Sequence, residues 1–243
     1  MNRADGPLLR KLGGFVALSD RELALLRELQ RHRRAFSAGR DFVRQGHSGQ
    51  SAYVLIDDWA CSYKLLPGGA RQIVDVQVPG DFIGIRSLLL RISDHSVEPV
   101  TDVTVAEVKA SDILEIVSEE PRLATALLWA ASRDEAMVVE HLVGLGRRSA
   151  RERVAHFLLE LSARLTLIGW SDRTGYECPL NQYLLADALG LSAVHVNRVL
   201  RALREDGLVT FRDGRVAFGN IDALISLTDF DPAYLDQTGP LVT

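Results

Sequence analysis

The stretch Leu180–Gly207 constrains the fold most, because it carries two amphipathic helical patterns with only about four residues between them. Gly190 supplies the backbone freedom that a tight turn needs, and Ser192 stands where the N-cap of the second helix belongs. Two apolar sets recur at helical spacing, and they are Leu184, Leu185, Ala188 and Leu189 in the first helix and Val196, Val199, Leu200 and Leu203 in the second. The pattern predicts a helix-turn-helix.

By itself, this pattern also fits an ordinary helical hairpin with a solvated basic face. The residues that follow favour a more specific structure. Leu208–Phe211 alternates like a strand, Arg212–Arg215 has turn composition, and Val216–Phe218 returns. A helix-turn-helix followed by a hairpin with basic residues at its tip is the pattern of a winged helix, whose second helix faces the DNA major groove.

The first half of the chain has a different pattern. From Phe36 to Val108, short alternating segments are separated by glycine turns, which predicts a small antiparallel barrel or jelly roll. Before it, Ser19–Glu22 has the form of a capping box at the start of a short helix. The basic run Arg31–Arg34 fits the solvated end of such a helix.

A long helix is predicted from Pro121 to Leu145, after a short one over Ser111–Glu119. A seam at a spacing of 3.5 residues runs through Ala124, Leu127, Ala131, Val138 and Leu145. The seam fits packing either on the β-roll of the same chain or on a twin helix. We favour the twin, since two recognition helices need a fixed spacing of about one DNA turn.

The predicted fold class is therefore α+β, with an N-terminal antiparallel β-roll, a long dimerisation helix and a C-terminal winged helix-turn-helix. The corresponding segments are residues 1–120, 121–146, 147–228 and an acidic tail over 229–243. Gly144 and Gly146 mark the joint before the third segment. We expect Gly169–Cys178 to be a loop and the tail to be loosely packed.

The distribution of charge favours a nucleic-acid partner more than the total does. The net charge is −4, but residues 147–226 carry 11 basic and nine acidic side chains. A local basic surface is compatible with an acidic remainder, which limits non-specific binding.

The two cysteines, Cys61 and Cys178, are too few for a disulfide framework or for a four-cysteine zinc or iron–sulfur site within one chain. We expect both thiols to be inert, although Cys178 precedes the helix-turn-helix and is the better candidate for reactivity. No apolar run approaches the roughly 18 residues that span a bilayer, and the first residues lack a signal-peptide core, so we expect a cytoplasmic protein.

Catalytic and metal-binding signatures are missing from the sequence. It contains no nucleophile elbow, HExxH motif, Walker A motif or paired metal ligands. Serine, histidine and aspartate residues are scattered at spacings that do not bring them together. We therefore predict a protein that is not an enzyme and holds no metal.

Short motifs in both halves of the chain carry a family resemblance. They are Val43–Gly46, Tyr53–Ile56 and Pro79–Gly84 in the first half, and Arg153–Ala155, Leu184–Leu191, Asn197–Leu200 and Gly207–Leu208 in the second. The first set resembles the cyclic-nucleotide-binding domain, and the second the DNA-binding domain, of the CRP/FNR superfamily of bacterial transcription regulators, so that the resemblance covers nearly the whole chain. It implies a homodimer that binds a palindromic operator in double-stranded DNA, with RNA polymerase as a further partner if the protein activates transcription. The alternative is a small-molecule receptor whose helix-turn-helix mediates only protein contacts.

The recognition helix departs from the family pattern. The family's helix begins Ser-Arg-Glu-Thr-Val-x-Arg, whereas Ser192–Arg198 reads Ser-Ala-Val-His-Val-Asn-Arg. The resemblance implies that Arg198 keeps its base-reading role, bidentate to guanine. Ala193 or Val194 is left to contact a thymine methyl, and His195 or Asn197 to donate to a base or phosphate. The candidates for phosphate contacts are Gln182, Ser192, Arg201 and Arg215.

The residues that correspond to the family's effector-binding pocket depart further from the family pattern. Relatives that bind cyclic AMP use a Gly-Glu pair, an Arg-Ser pair ten residues later, and a Thr-Ser pair on the long helix. Here Ile85 replaces the glutamate, and His95 replaces the arginine before Ser96. Burying a phosphate without its arginine is costly, and isoleucine cannot accept from a ribose hydroxyl, so we predict that cyclic AMP is not the ligand. The degenerate pocket comprises Phe82, Gly84, Ile85, Arg86, His95, Ser96, Val138 and Val139.

Two alternatives for this pocket stay open, and we favour the second. Either the pocket binds a molecule more apolar than cyclic AMP, or side chains fill it and it needs no ligand. The positive charge of Arg86, next to Ile85, also keeps an anionic ligand possible. Some relatives sense gases through haem, but isolated histidines are more often hydrogen-bonded polar residues than ligands, and we predict no haem. The histidines concerned are His32, His47, His95, His141 and His156.

Overall fold

The computed structural model describes residues 6–49, 51–90 and 92–236. They form two compact units, one built from residues 6–70 and 75–133 and the other from residues 71–74 and 134–236. Within the described ranges, no helix is both long enough and apolar enough to cross a bilayer.

The first unit opens with helices α1 (Pro7–Phe15) and α2 (Asp20–Leu29). Ser19 accepts from the Glu22 backbone N–H while the Glu22 carboxylate accepts from the Ser19 N–H, which is the predicted capping box. Seven strands follow, and they are β1 (Arg33–Phe36), β2 (Ala52–Asp57), β3 (Ala60–Leu65), β4 (Arg71–Gln77), β5 (Phe82–Ile83), β6 (Ser96–Pro99) and β7 (Val103–Val108). The run Arg31–Arg34 is exposed, as expected, but its second half begins β1 and does not end a helix.

The strands form two small sheets, in the orders β1-β7-β2-β5 and β4-β3-β6. Between them lies a core in which Phe36 stacks on Phe42 with ring centroids 4.6 Å apart, and the edge of Tyr53 meets both rings. This is the predicted β-roll.

Two helices follow the roll, α3 (Ala110–Glu119) and α4 (Pro121–Arg147). The first turns of α4 pack against α1, α2, β2 and β7 in a second core. Leu127 belongs to that core and is 7% exposed, and Ala124 packs against it. Placing these two residues in a dimer seam was therefore wrong, because the chain's own core already buries that face.

A buried ionic cluster joins three elements of the first unit. The Asp81 carboxylate, in the turn before β5, is paired with Lys11 of α1 and with Arg133 of α4, and it also accepts from the Val78 backbone N–H. All three charged side chains are almost fully buried. Burying them is tolerable because each charge has a partner of opposite sign.

The second unit continues from the last turns of α4 and contains the winged helix-turn-helix. Its elements are α5 (Ala150–Leu167), β8 (Ser171–Asp172), β9 (Gly175–Glu177), α6 (Gln182–Leu189), α7 (Ala193–Glu205), β10 (Val209–Arg212), β11 (Arg215–Phe218), α8 (Ile221–Thr228) and a 3₁₀ turn (Pro232–Leu235). Strands β8 to β11 form one sheet in the order β10-β11-β9-β8. Expecting a plain loop over Gly169–Cys178 was therefore wrong, because this segment supplies a hairpin to the sheet of the wing.

The start of the tail is packed, contrary to expectation. Leu235 is buried, and the Tyr234 hydroxyl donates to the fully buried carboxylate of Glu160 on α5. Phe230 meets the ring of His156 edge-on at 5.0 Å between centroids. Aromatic packing and one partly buried hydrogen bond therefore hold residues 229–236 on α5, while the rest of the predicted tail lies outside the described residues.

Candidate nucleic-acid interface

The predicted helix-turn-helix consists of α6, a three-residue turn and α7. Asn181 caps α6 by accepting from the backbone N–H groups of Tyr183 and Leu184. Gly190 ends α6 in the left-handed conformation at φ 61°, which glycine adopts without strain. Ser192 then caps α7 by accepting from the His195 N–H at 3.2 Å. Local capping chemistry thus fixes where each helix begins.

Arg153 connects this motif to the helices before it. Its guanidinium donates to the Leu189 carbonyl at the end of α6, at 2.7 Å. It also donates to the carbonyls of Leu145 and Arg148, at 3.1 and 3.2 Å, near the end of α4. The carbonyls of Leu145 and Leu189 lie in last helical turns, where carbonyls lack a partner within the helix. Arg153 therefore caps the ends of α4 and α6 and orients α6 against the end of α4.

The outward face of α7 carries several of the predicted DNA-contacting residues, which are base-reading candidates except for the phosphate-contact candidate Arg201. Val194, Asn197, Arg198 and Arg201 are exposed. The opposite face is buried and anchors the helix through Val196, Val199 and Leu203. Within the described chain, neither Arg198 nor Arg201 forms an ion pair with a carboxylate. Both guanidinium groups are therefore available to an external anion.

Other predicted contact residues are less available to DNA. Ala193, His195 and Gln182 are half-buried, and the Ser192 hydroxyl is exposed but serves as the cap of α7. Tyr183, in the first turn of α6, is exposed and is a further candidate that was not considered from the sequence. Its position two residues after an N-cap was the available signal, because the amino end of a helix attracts phosphate.

The wing is a β-hairpin of β10 and β11 with a two-residue loop. Asp213 and Gly214 both have positive φ, 49° and 72°, as a type I′ turn requires. Arg212 and Arg215 lie opposite each other beside this turn. Arg215 is not free, however, because its guanidinium donates to Glu177 on β9 at 2.6 Å. A phosphate would have to compete with that carboxylate.

Cys178 lies between β9 and the cap of α6 and is fully buried. Burial raises the pKa of its thiol to about 12. Because the thiolate is the reactive form, this supports an inert structural role and removes the reason for suspecting Cys178. Cys61 is also buried.

The predicted effector-pocket residues do not all cluster. His95 and Ser96 are buried in the roll, and the Ser96 hydroxyl accepts from the Gln45 backbone N–H. Gly84 and Ile85 are half-buried, as is Phe82, which packs against the second core of the first unit. Val138 and Val139 are exposed on α4, although buried positions were expected for both.

Arg86 and His95 come together around a residue that the sequence reasoning did not consider. The Asp94 carboxylate lies 2.7 Å from His95 Nδ1 and 3.4 Å from the Arg86 guanidinium. Partial burial opposes its ionisation, but the hydrogen bond from His95 and the charge of Arg86 outweigh burial and lower the Asp94 pKa. Arg86 and His95 therefore already face a carboxylate of the same chain.

Among the described residues, no three histidine, cysteine, aspartate or glutamate side chains are grouped as a metal ion requires.

A β-roll, a long helix and a winged helix-turn-helix with a free cationic face together define a DNA-binding transcription regulator of the helix-turn-helix class.

Comparison with known proteins agrees with this class. Residues 152–227 match the model of the Crp-like helix-turn-helix domain, and residues 33–120 match that of the cyclic nucleotide-binding domain. The chain is 33% identical over 202 residues to the nitrogen fixation regulation protein FixK of Bradyrhizobium diazoefficiens, covering 82% of this chain and 84% of that protein. A probable transcriptional activator of Rhizobium leguminosarum bv. viciae is 32% identical over 192 residues, covering 78% and 79%.

The structure of FixK2 from Bradyrhizobium japonicum superposes with a TM-score of 0.72 at 26% identity, covering 80% of this chain and 96% of that one. The chain belongs to the CRP/FNR family of transcription regulators, as its sequence motifs predicted.

Proposed function

We propose that this CRP/FNR-type regulator binds a palindromic operator as a homodimer, without cyclic AMP, and reads it through Arg198 of each α7. The observation that carries the proposal is the outward face of α7. There Arg198 and Arg201 are exposed and unpaired within the described chain, on a helix whose opposite face is anchored in the core. Arg198 lies in the second turn, where a recognition helix reaches base edges, and a guanidinium fits guanine bidentately.

An apolar seam on α4 supports the homodimer. The exposed residues Leu128, Ala131, Val138, Leu142 and Leu145, with Glu135 between them, follow an alternating spacing of three and four residues. Leu128 is 63% exposed, although its neighbour Leu127 is buried. A stripe of this period on a helix 27 residues long fits a second copy of the same helix. The proposed seam therefore keeps Ala131, Val138 and Leu145 and replaces Leu127 with Leu128.

The proposal that cyclic AMP is not the effector rests on chemistry around the β-roll. A cyclic phosphate needs a cation, and a ribose hydroxyl needs an acceptor. Ile85 provides no acceptor, and the ionised Asp94 both engages Arg86 and would repel a phosphate. Tyr53 is buried in the roll, and the half-buried rings of Phe36 and Phe42 pack against it. The residues present do not fit a cyclic nucleotide.

Operator selection from a random duplex library tests the proposal. The purified full chain should enrich an inverted repeat and bind it more tightly than a scrambled duplex. Its affinity should fall steeply with salt, by about 0.9 logarithmic units per phosphate contact for each tenfold rise in salt concentration. Adding cyclic AMP should leave the affinity unchanged. Equal binding to every duplex, or a cyclic-AMP requirement, would contradict it.

A protein whose helix-turn-helix serves only protein contacts would enrich no sequence. The selection experiment therefore also separates the operator-binding hypothesis from the alternative of a small-molecule receptor.

A further inference from the structure

Val194 stands out on the outward face of α7. It lies in the first turn of the helix and is 80% exposed. A single exposed aliphatic residue is common on protein surfaces and by itself indicates nothing. The position of Val194 is informative, because it shares its face with Asn197 and Arg198, three and four residues later.

This spacing fixes where Val194 would act on DNA. An α-helix rises about 1.5 Å per residue, so Val194 is separated from Asn197 and Arg198 by about 4.5–6 Å along the axis. Successive bases of one strand are about 3.4 Å apart. A base touched by Val194 therefore lies one to two steps from the base pair contacted by Arg198.

The chemistry of the side chain restricts which base this is. An isopropyl group neither donates nor accepts a hydrogen bond, so it gains nothing from the amino, carbonyl and ring-nitrogen groups of the major groove. The one apolar group on that edge is the thymine 5-methyl. A carboxylate in the same place would instead accept from the cytosine amino group.

We infer that Val194 selects thymine at one base pair of each half-site, one to two steps from the Arg198 contact, by packing on its 5-methyl group. The inference rests on the proposed function and adds the base feature that this face of α7 reads. Because the Ser192 cap and the buried face of α7 do not involve the Val194 side chain, substitutions here leave the helix folded.

The test uses the selected operator and a series of duplexes, in each of which uracil replaces the thymine at one position of both half-sites and so removes only its methyl group. Burial of one methyl corresponds to roughly a fourfold change in affinity per half-site, and to about fifteenfold when both half-sites are altered. Wild-type protein should lose this much at one thymine per half-site and lose little at other thymines. Val194→Ala should bind the thymine operator more weakly and distinguish thymine from uracil there by less than twofold.

Two further variants sharpen the result. Val117→Ala makes the same chemical change at an exposed valine of α3 and should behave as wild type on all of these duplexes. Val194→Glu should move the selected base from thymine to cytosine, because a carboxylate accepts from its amino group.

The outcomes separate a failure of the inference about Val194 from a failure of the proposed function. If wild-type protein prefers its operator over a scrambled duplex but tolerates uracil at every position, the inference is wrong and the proposed function stands. Full discrimination against uracil by Val194→Ala would also overturn it. If no duplex is enriched at all, the proposed function fails, and the inference fails with it.

Discussion

Arg215 at the tip of the wing donates to Glu177 directly across the β9–β11 pair, with 2.6 Å between guanidinium nitrogen and carboxylate oxygen. Both side chains are exposed, so water screens the pair and it contributes little to stability. Its consequence is functional, because Glu177 places a negative charge beside the wing of a protein that approaches phosphates.

Glu177→Gln should therefore tighten operator binding. The change removes the repulsive charge and releases Arg215 for a phosphate, which should raise the affinity by about two- to tenfold at low salt and steepen the salt dependence by about one unit. Fluorescence anisotropy over a salt series measures both. Arg215→Ala should have the opposite effect. If Arg215→Ala binds with unchanged affinity and salt slope, the wing does not contact the backbone.

Leu142→Glu should produce monomers. Leu142 is 69% exposed on the proposed seam of α4, and a charge there would have to be buried in the paired helices. Analytical ultracentrifugation should show a dimer for the wild type and a monomer for the variant, with weakened operator binding. Leu114→Glu, at a 67% exposed leucine of α3, is the matched control and should remain dimeric. A dimeric Leu142→Glu protein would exclude this seam.

Asp81→Ala should destabilise the first unit by about 3–5 kcal/mol, because it leaves Lys11 and Arg133 buried without the carboxylate that they share. Urea denaturation followed by tryptophan fluorescence measures the loss. Lys11→Met keeps the Asp81–Arg133 pair and much of the volume, and it should cost less than half as much. Equal losses for the two variants would mean that Asp81 is not the shared partner.

His156 should make the second unit sensitive to mild acid. Burial, assisted by the charge of Arg148, lowers its pKa from 6.5 to about 4, so the imidazole is neutral in the folded chain. Below pH 6.5 the unfolded chain takes up a proton that the folded chain does not, and stability falls as the pH drops towards 4. This contribution amounts to about 2 kcal/mol between pH 7.5 and pH 5.

His156→Phe should lose that part of the pH dependence, because a phenyl ring keeps the packing against Phe230 and does not titrate. Urea midpoints of both proteins at pH 7.5 and pH 5 provide the comparison. An identical acid shift in the variant would assign the sensitivity to another group.

The α7 region was predictable from sequence because its signals are local. The Ser192 cap, the Gly190 turn and the buried spacing of Val196, Val199 and Leu203 each depend on residues within a few positions of one another. The β-roll was predictable for the same reason, from short alternating segments between turns. The family resemblance then supplied what local patterns do not contain, namely the proposed groove-facing role of Arg198.

The seam of α4 was harder to predict, because this helix is apolar on more than one side. Leu127 and Leu128 are adjacent and chemically identical, yet the first is buried in the chain's own core and the second is exposed. A period of 3.5 residues can be drawn through either of them. Only the position of α1, α2 and the roll decides which one is free.

Contacts between distant residues left no sequence signal. Asp94 meets Arg86 across a turn, Lys11 meets Asp81 seventy residues away, and Tyr234 reaches Glu160 from the tail. Each of these residue types is usually solvated, so composition alone favours an exposed position. The short hairpin of β8 and β9 was missed because two or three residues are too few to establish an alternation.

The most direct measurement of the central claim compares wild-type protein with Arg198→Ala on the selected operator and on each of its single-base variants. Arg40→Ala, which removes an exposed arginine of the first unit, controls for net charge. We expect Arg198→Ala to lose about 1–3 kcal/mol of binding free energy and to lose its base preference at one base pair per half-site. Arg40→Ala should match the wild type in both. Unchanged affinity and unchanged base preference in Arg198→Ala would contradict it.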